Sequence, residues 1–126
     1  MQKIENKVIL IVDDEDSNIY ALQSYLDTMD VNIKVAKNGE QAINMLQNEG
    51  QVDIILLDMM MPVMDGYETL QVLKKHDSLN KIPVIAVTAK AMKGDREKCL
   101  EAGAWDYVSK PLDMKLLIEK INNLLV

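Results

Sequence analysis

Residues 54–66 read IILLDMMMPVMDG: four apolar residues run straight into a carboxylate, Asp58, and then into three methionines and a proline. An apolar run without polar alternation is the pattern of a strand covered on both faces, the usual state of a parallel sheet packed between helices. A lone carboxylate at the end of such a strand is costly to bury, so it takes up a proton or acquires a partner. Asp58 therefore calls for a cation, a proton or a reaction.

The same pattern recurs along the chain. Apolar, largely β-branched runs stand at 8–12 (VILIV), 53–57 (DIILL) and 83–87 (PVIAV), separated by stretches with helical spacing, which is the pattern of βα units on a parallel sheet. Two further runs, NIKVA (32–36) and WDYV (105–108), alternate apolar with polar residues, as expected of edge strands with one exposed face. Met114, Leu117, Ile118, Ile121, Leu124 and Leu125 form an amphipathic stripe after Pro111. Ile19, Leu22, Leu26 and Met29 form another after the first strand. Asn38 caps a helix carrying Ala42, Ile43 and Leu46, a third helix starts near Asp65-Gly66, and a fourth ends near Gly103. Gly66 is expected to supply a tight backbone bend before the third helix. Five strands and five helices in alternation predict an α/β fold: a flavodoxin-like, doubly wound, five-stranded parallel sheet of order 2-1-3-4-5. No linker or repeat divides residues 1–126, so one domain is expected.

Composition narrows the function classes. A net charge of −6 argues against direct nucleic-acid binding, which needs clustered Lys and Arg. No run approaches a membrane span and residues 1–7 lack the apolar core of a signal peptide, so no membrane insertion and a cytoplasmic location are expected. Cys99 is the single cysteine, which excludes an intrachain disulfide and reads as a small buried hydrophobe. His76 is the single histidine and sits in the polar stretch KKHDSLNK, where a solvated helix end is the simplest reading.

In doubly wound sheets ligands bind beyond the carboxyl ends of the strands, where the strand order reverses. There the first strand ends in Asp13-Asp14-Glu15-Asp16, the third in Asp58, the fourth in Thr88 and the fifth in Ser109-Lys110-Pro111. Each has an ordinary explanation alone: an Asp can cap a helix, a Thr can satisfy a turn, and a Lys can be solvated. Together, Asp13, Asp14 and Asp58 on neighbouring strands would repel one another unless a cation intervened. Mg²⁺ suits such a donor set, being a hard ion that takes carboxylate, carbonyl and water oxygens and is often completed by a phosphate oxygen. A phosphoryl group is then the natural substrate, with Lys110 and Thr88 placed to meet its oxygens. Asp58, without an acidic neighbour in sequence and with an apolar strand behind it, is the candidate nucleophile that would form an aspartyl phosphate.

From about Lys7 to Val126 the sequence resembles the receiver domain of two-component response regulators. The resemblance rests on VDDE, LLDMMMPVMDG, VTA (87–89) and YVSKP (107–111), in that order and at receiver spacing. It implies that Asp58 takes a phosphoryl group from a phosphohistidine on a histidine kinase or histidine phosphotransfer domain. It also implies that Asp13, Asp14, Asp58 and the main-chain carbonyl of Met60 hold Mg²⁺, with Mn²⁺ as a substitute. Thr88 and Lys110 would contact the phosphoryl group, and Thr88 and Tyr107 would switch together, altering a surface made by helix 4, strand 5 and helix 5 that addresses a downstream protein. Tyr107 also has a plain structural reading as an edge-strand aromatic packed on a helix. The Lys110–Pro111 bond would be cis. Met60 and Lys90 stand at positions that vary in the family and flank the path of the hydrolytic water, so they would tune phosphoryl lifetime; surface filler is the alternative. The segment from Ala91 to Pro111, with Asn18, is similar to receivers attached to hybrid sensor kinases. The resemblance implies a signalling phosphoacceptor that does no more than phosphorylate and dephosphorylate itself.

Three rival readings fare worse. A haloacid-dehalogenase-like phosphatase needs a second Asp two residues after the nucleophile, where Met60 stands. A flavodoxin-type carrier must offer N–H groups to a phosphate in its first loop, which Asp13-Asp14-Glu15-Asp16 would repel. A receiver-shaped interaction module would be expected to lack a site residue, and none is missing.

Overall fold

A computed structural model describes residues 4–48, 51–61, 64–89 and 94–125. Strands β1 (Val8–Val12), β2 (Asn32–Ala36), β3 (Ile54–Asp58), β4 (Val84–Thr88) and β5 (Asp106–Ser109) alternate with helices α1 (Asp16–Leu26), α2 (Gly39–Asn48), α3 (Gly66–Lys75), α4 (Asp95–Ala102) and α5 (Met114–Leu124). All the strand pairs are parallel and the sheet order is β2-β1-β3-β4-β5, so the weakly patterned strands are the edges.

The apolar strands read as continuous because each feeds two cores. Leu10, Val12, Ile55, Leu57, Val84 and Ala86 face Ala42, Ile43 and Leu46 of α2, Leu70 and Leu73 of α3, and Cys99 of α4. The intervening Ile9, Ile11, Ile54, Leu56, Ile85 and Val87 face Ile19, Leu22 and Leu26 of α1 and Leu117, Ile118 and Ile121 of α5. Successive side chains alternate across a strand, so a run buried on both faces shows no polar period.

Three strands start and end one residue later than their apolar runs suggest: 54–58, 84–88 and 106–109 rather than 53–57, 83–87 and 105–108. The ladder, not side-chain polarity, sets these ends. Asp58 pairs with Val87 and Thr88 with Ser109, so the polar residues lie inside the sheet. Pro83 has no N–H to donate, although its carbonyl accepts from Ile55 N at 2.9 Å. Asp53 closes the other end of β3: its N–H donates to Val8 O at 2.9 Å and its carboxylate accepts from Val8 N at 2.7 Å.

The helix α1 stripe is shorter than its periodicity suggests. Met29 lies in a 3-10 turn, Asp27–Met29, that stops at Asp30 in the left-handed region (φ 55°). Asn38 Oδ1 accepts from Gln41 N at 2.9 Å, capping α2. Asp65 caps α3 through a reciprocal pair with Glu68, and His76 ends that helix with a ring nitrogen 3.4 Å from Gln47 Nε2.

Gly66 serves a different purpose from the expected bend. A Cβ there would sit 2.6 Å from Met59 Cα, 2.5 Å from Met59 Sδ and 3.0 Å from the Asp58 carbonyl oxygen. Close approach of α3 to the end of β3 excludes a side chain, while the backbone itself is not left-handed. Pro62, in the same loop, and Lys90 lie outside the described residues.

Candidate metal and phosphoryl site

The carboxyl ends of β1 and β3 are adjacent because β1 pairs directly with β3. Asp13 follows β1, and its N–H donates to Ala36 O at 3.1 Å, which extends the ladder by one step. Its Oδ1 accepts from Glu15 N at 2.9 Å, turning the chain into α1. Asp58 ends β3, and its Oδ1 accepts from Met60 N at 3.0 Å. Asp13 and Asp58 are each only 3% exposed, whereas Asp14 is exposed.

Asp13, Asp14 and Asp58 each offer a carboxylate oxygen within 4.8 Å of the others. The remaining two acids of the first loop go elsewhere. Glu15 is the N-cap residue of α1, and Asp16, in the first turn of that helix, is ion-paired with Lys37.

Lys110, just past β5, reaches the same point. Its backbone N–H donates to Thr88 O at 2.7 Å, and the following peptide bond to Pro111 is cis. Its Nζ lies 3.7 Å from Asp58 Oδ2 and 3.9 Å from Asp13 Oδ2, an ion pair with both but a close hydrogen bond with neither. Thr88, buried, ends β4 beside Asp58's strand.

The electrostatics follow from this crowding. Burial pushes the Asp58 carboxyl above its ordinary value of 3.8, and the Met60 N–H opposes that rise. Asp13 raises it further, Lys110 lowers it, and Asp14 raises it. Three carboxylates against one ammonium leave two negative charges, the deficit that one divalent cation meets. The donors are all hard oxygens, without imidazole or thiolate, so the set fits Mg²⁺ rather than a softer metal.

Tyr107 lies on β5 opposite Ala86, half-buried against the core that α4 covers. Its phenol is pushed up by burial first and then by Asp95 and Cys99. Met60, two residues past Asp58, is 59% exposed.

Two features were not read from the sequence. A cavity of about 280 Å³ opens beside the acids, bounded by Asp13, Asn18, Asp58 and Lys110 at its polar end and by Leu22, Leu112 and Met114 elsewhere. The Tyr67 hydroxyl lies 3.8 Å from Cys99 Sγ, with Lys98 Nζ 5.6 Å from the Tyr67 ring centre, so the buried thiol has a polar neighbour on α3. Neither had a sequence signal: a cavity is shaped by several elements at once, and Tyr67 and Cys99 are far apart in the chain.

The family model described as response regulator receiver domain matches residues 9–122. The chain belongs to that family. Among its relatives, the probable transcriptional regulator ycf29 of Pyropia yezoensis is 42% identical over 93% of this receiver, which spans about half (52%) of that protein's length. The receiver domain of the sensor histidine kinase PA1611 of Pseudomonas aeruginosa, solved with a magnesium ion in its active site cleft, is 31% identical, with TM-score 0.86 over 95% of this chain and 98% of that one. The receiver domain of Ssk1 of Saccharomyces cerevisiae, crystallised with the histidine phosphotransfer protein Ypd1, is 30% identical, with TM-score 0.86 over 94% and 88% of the two chains. The receiver fold and the two-component family are thus shown for this chain, and its acidic cluster could hold a metal. Among the described residues no helix is long and apolar enough to cross a membrane.

Proposed function

We propose that this receiver is a phosphorelay phosphoacceptor in which Asp58 takes a phosphoryl group from a phosphohistidine of a histidine kinase or histidine phosphotransfer domain. The observation that carries the reading is the meeting of Asp13, Asp14 and Asp58 with Lys110 at one strand-end crevice. A carboxylate oxygen of Asp58 attacks phosphorus, the P–N bond breaks, and the imidazole nitrogen leaves with the electron pair and takes up a proton. Lys110 neutralises oxygens of the transferring group, and the Thr88 hydroxyl meets another. Asp13, Asp14, Asp58 and the Met60 carbonyl would hold Mg²⁺, with Mn²⁺ as a substitute. The ion would screen the carboxylates from the incoming phosphoryl charge.

The phosphoryl adds about −1.5 to −2 charge and three acceptor oxygens, enough to draw Thr88 and Lys110 inward. Tyr107, on β5 and packed on the α4 side of the core, would follow and alter the face of α4, β5 and α5 that a downstream protein reads. The chain, one receiver unit over 1–126, would act in the cytoplasm without contacting nucleic acid and would catalyse only its own phosphorylation and dephosphorylation. Met60 and Lys90 would set how fast the phosphoryl is lost.

The test is mass spectrometry after incubation with Mg²⁺ and acetyl phosphate, for this chain and for Asp58→Asn. One phosphoryl adduct on the parent, none on the variant and none without Mg²⁺ is expected. No adduct on the parent, or equal labelling of the variant, refutes the assignment.

A further inference from the structure

Among the described residues, the methionines divide sharply by exposure. Met59 and Met61 are buried, Met29, Met45, Met64 and Met114 are half-buried, and Met60 alone is exposed, at 59%. Its backbone N–H is held 3.0 Å from Asp58 Oδ1, so the residue that carries the exposed thioether stands two positions after the carboxylate at which the phosphoryl is proposed to form. The flanking methionines pack into the fold, with Met59 Sδ against Gly66, whereas the Met60 side chain stays in solvent.

Exposure governs how fast a thioether meets an oxidant, and oxidation turns an apolar, flexible side chain into a polar one with a strong acceptor oxygen. We propose that Met60 is an oxidation site for small hydroperoxides, and that its sulfoxide shortens the life of a phosphoryl group on Asp58. A sulfur lone pair attacks one peroxide oxygen, the O–O bond breaks, and the sulfoxide forms. Sulfur loses two electrons, and hydrogen peroxide is reduced to water. The sulfoxide oxygen can accept a hydrogen bond from a water approaching the phosphoryl, where the thioether offers only a weak acceptor. Peroxide stress would then drain the receiver of signal, and methionine sulfoxide reductases would restore it. Cys99 is a poor competitor, because it is buried and its thiol is pushed up by burial first.

The lifetime effect rests on Asp58 being the acceptor, and the experiment separates the two ideas. The chain is treated with graded hydrogen peroxide and mapped by peptide mass spectrometry without any phosphodonor. Met60 should convert severalfold faster than Met59 and Met61; conversion at equal rates overturns the proposal. Oxidised and untreated protein are then loaded with Mg²⁺ and acetyl phosphate, and the decay of the adduct is followed. Decay should be severalfold faster after oxidation, should return to the untreated rate after methionine sulfoxide reductase, and should be fast without peroxide in Met60→Gln. Met60→Leu, which keeps every other methionine, should show no response to peroxide. An unchanged decay after Met60 oxidation, or an equal peroxide response in Met60→Leu, overturns the proposal. Selective Met60 conversion with no adduct on untreated protein would instead refute Asp58 as acceptor, and the proposed effect on its phosphoryl with it.

Discussion

Replacing Asp58 by Asn should make the metal-free protein more stable while abolishing the proposed phosphorylation. The carboxylate is 3% exposed and shares a space within 4.8 Å with Asp13 and Asp14. At an effective dielectric of about 20, a like-charge pair at that separation costs about 3.5 kcal/mol, and Lys110 at 3.7 Å returns about 4.5 kcal/mol before discount. Asp14 is exposed and its repulsion is screened, and Lys110 keeps a fifth of its side chain in solvent, so the Lys110 attraction and the Asp13 repulsion nearly offset and the cost of burial remains. Asn retains the acceptor for the Met60 N–H and removes the charge. A gain of about 2 kcal/mol follows, equivalent to a Tm rise of roughly 6–10 °C in a chain of this size. The pH dependence has a definite sign. A carboxyl whose folded-state value is raised makes the native protein hold its proton where the unfolded chain has released it. The penalty is therefore complete above the raised value and disappears as pH falls through it toward 3.8. Urea denaturation in EDTA at neutral and mildly acid pH is the assay. The two proteins should differ at neutral pH and converge on acidification. Mg²⁺ at ten times its dissociation constant should return about 1.4 kcal/mol to the parent and less to the variant. An Asn variant less stable than the parent in EDTA at neutral pH would refute the reasoning.

Three further outcomes can be checked separately. Gly66→Ala forces a Cβ against the Met59 backbone and should cost about 1–3 kcal/mol in urea denaturation; a neutral result would mean α3 can withdraw from β3. Asp65→Ala removes the cap of α3 and should cost about 1 kcal/mol; a change below a few tenths would show that Glu68 alone satisfies the helix start. Tyr67, pushed up to about 12 by burial first and then by its contact with Cys99, should appear in an ultraviolet pH titration as a late-ionising phenol that disappears in Tyr67→Phe; loss of an early step instead would contradict the Tyr67–Cys99 geometry.

Much of this was legible in the order of residues. Strand polarity identified β2 and β5 as edges, because a strand with one exposed face must alternate while one covered twice cannot. Asp13, Asp14, Asp58, Thr88 and Lys110 were legible as a group because parallel strands all end on the same side of the sheet. Less legible were the ends of the strands, where hydrogen bonding overrides polarity and carries Asp58 and Thr88 into the ladder. The role of Asp53 was also missed, since its carboxylate takes the N–H of Val8, 45 residues earlier in the chain. The reading of Gly66 went astray in cause: a glycine beside a helix start suggests a turn, and only packing reveals that Met59 occupies the place of its side chain.

The sequence by itself determined the sheet order and the chemical character of the crevice, because hydrophobic period and residue type are local properties that survive into any fold the chain can adopt. The tertiary structure decided where the other two acids of the first loop go, with Glu15 at the N-cap of α1 and Asp16 on Lys37. Four consecutive carboxylates look alike in sequence, yet the turn into α1 sends Asp16 to Lys37 and leaves Asp13 and Asp14 with Asp58. It also decided that Met60, among neighbours of the same type, is the one left in solvent, since exposure depends on what packs above a residue and not on the residue itself.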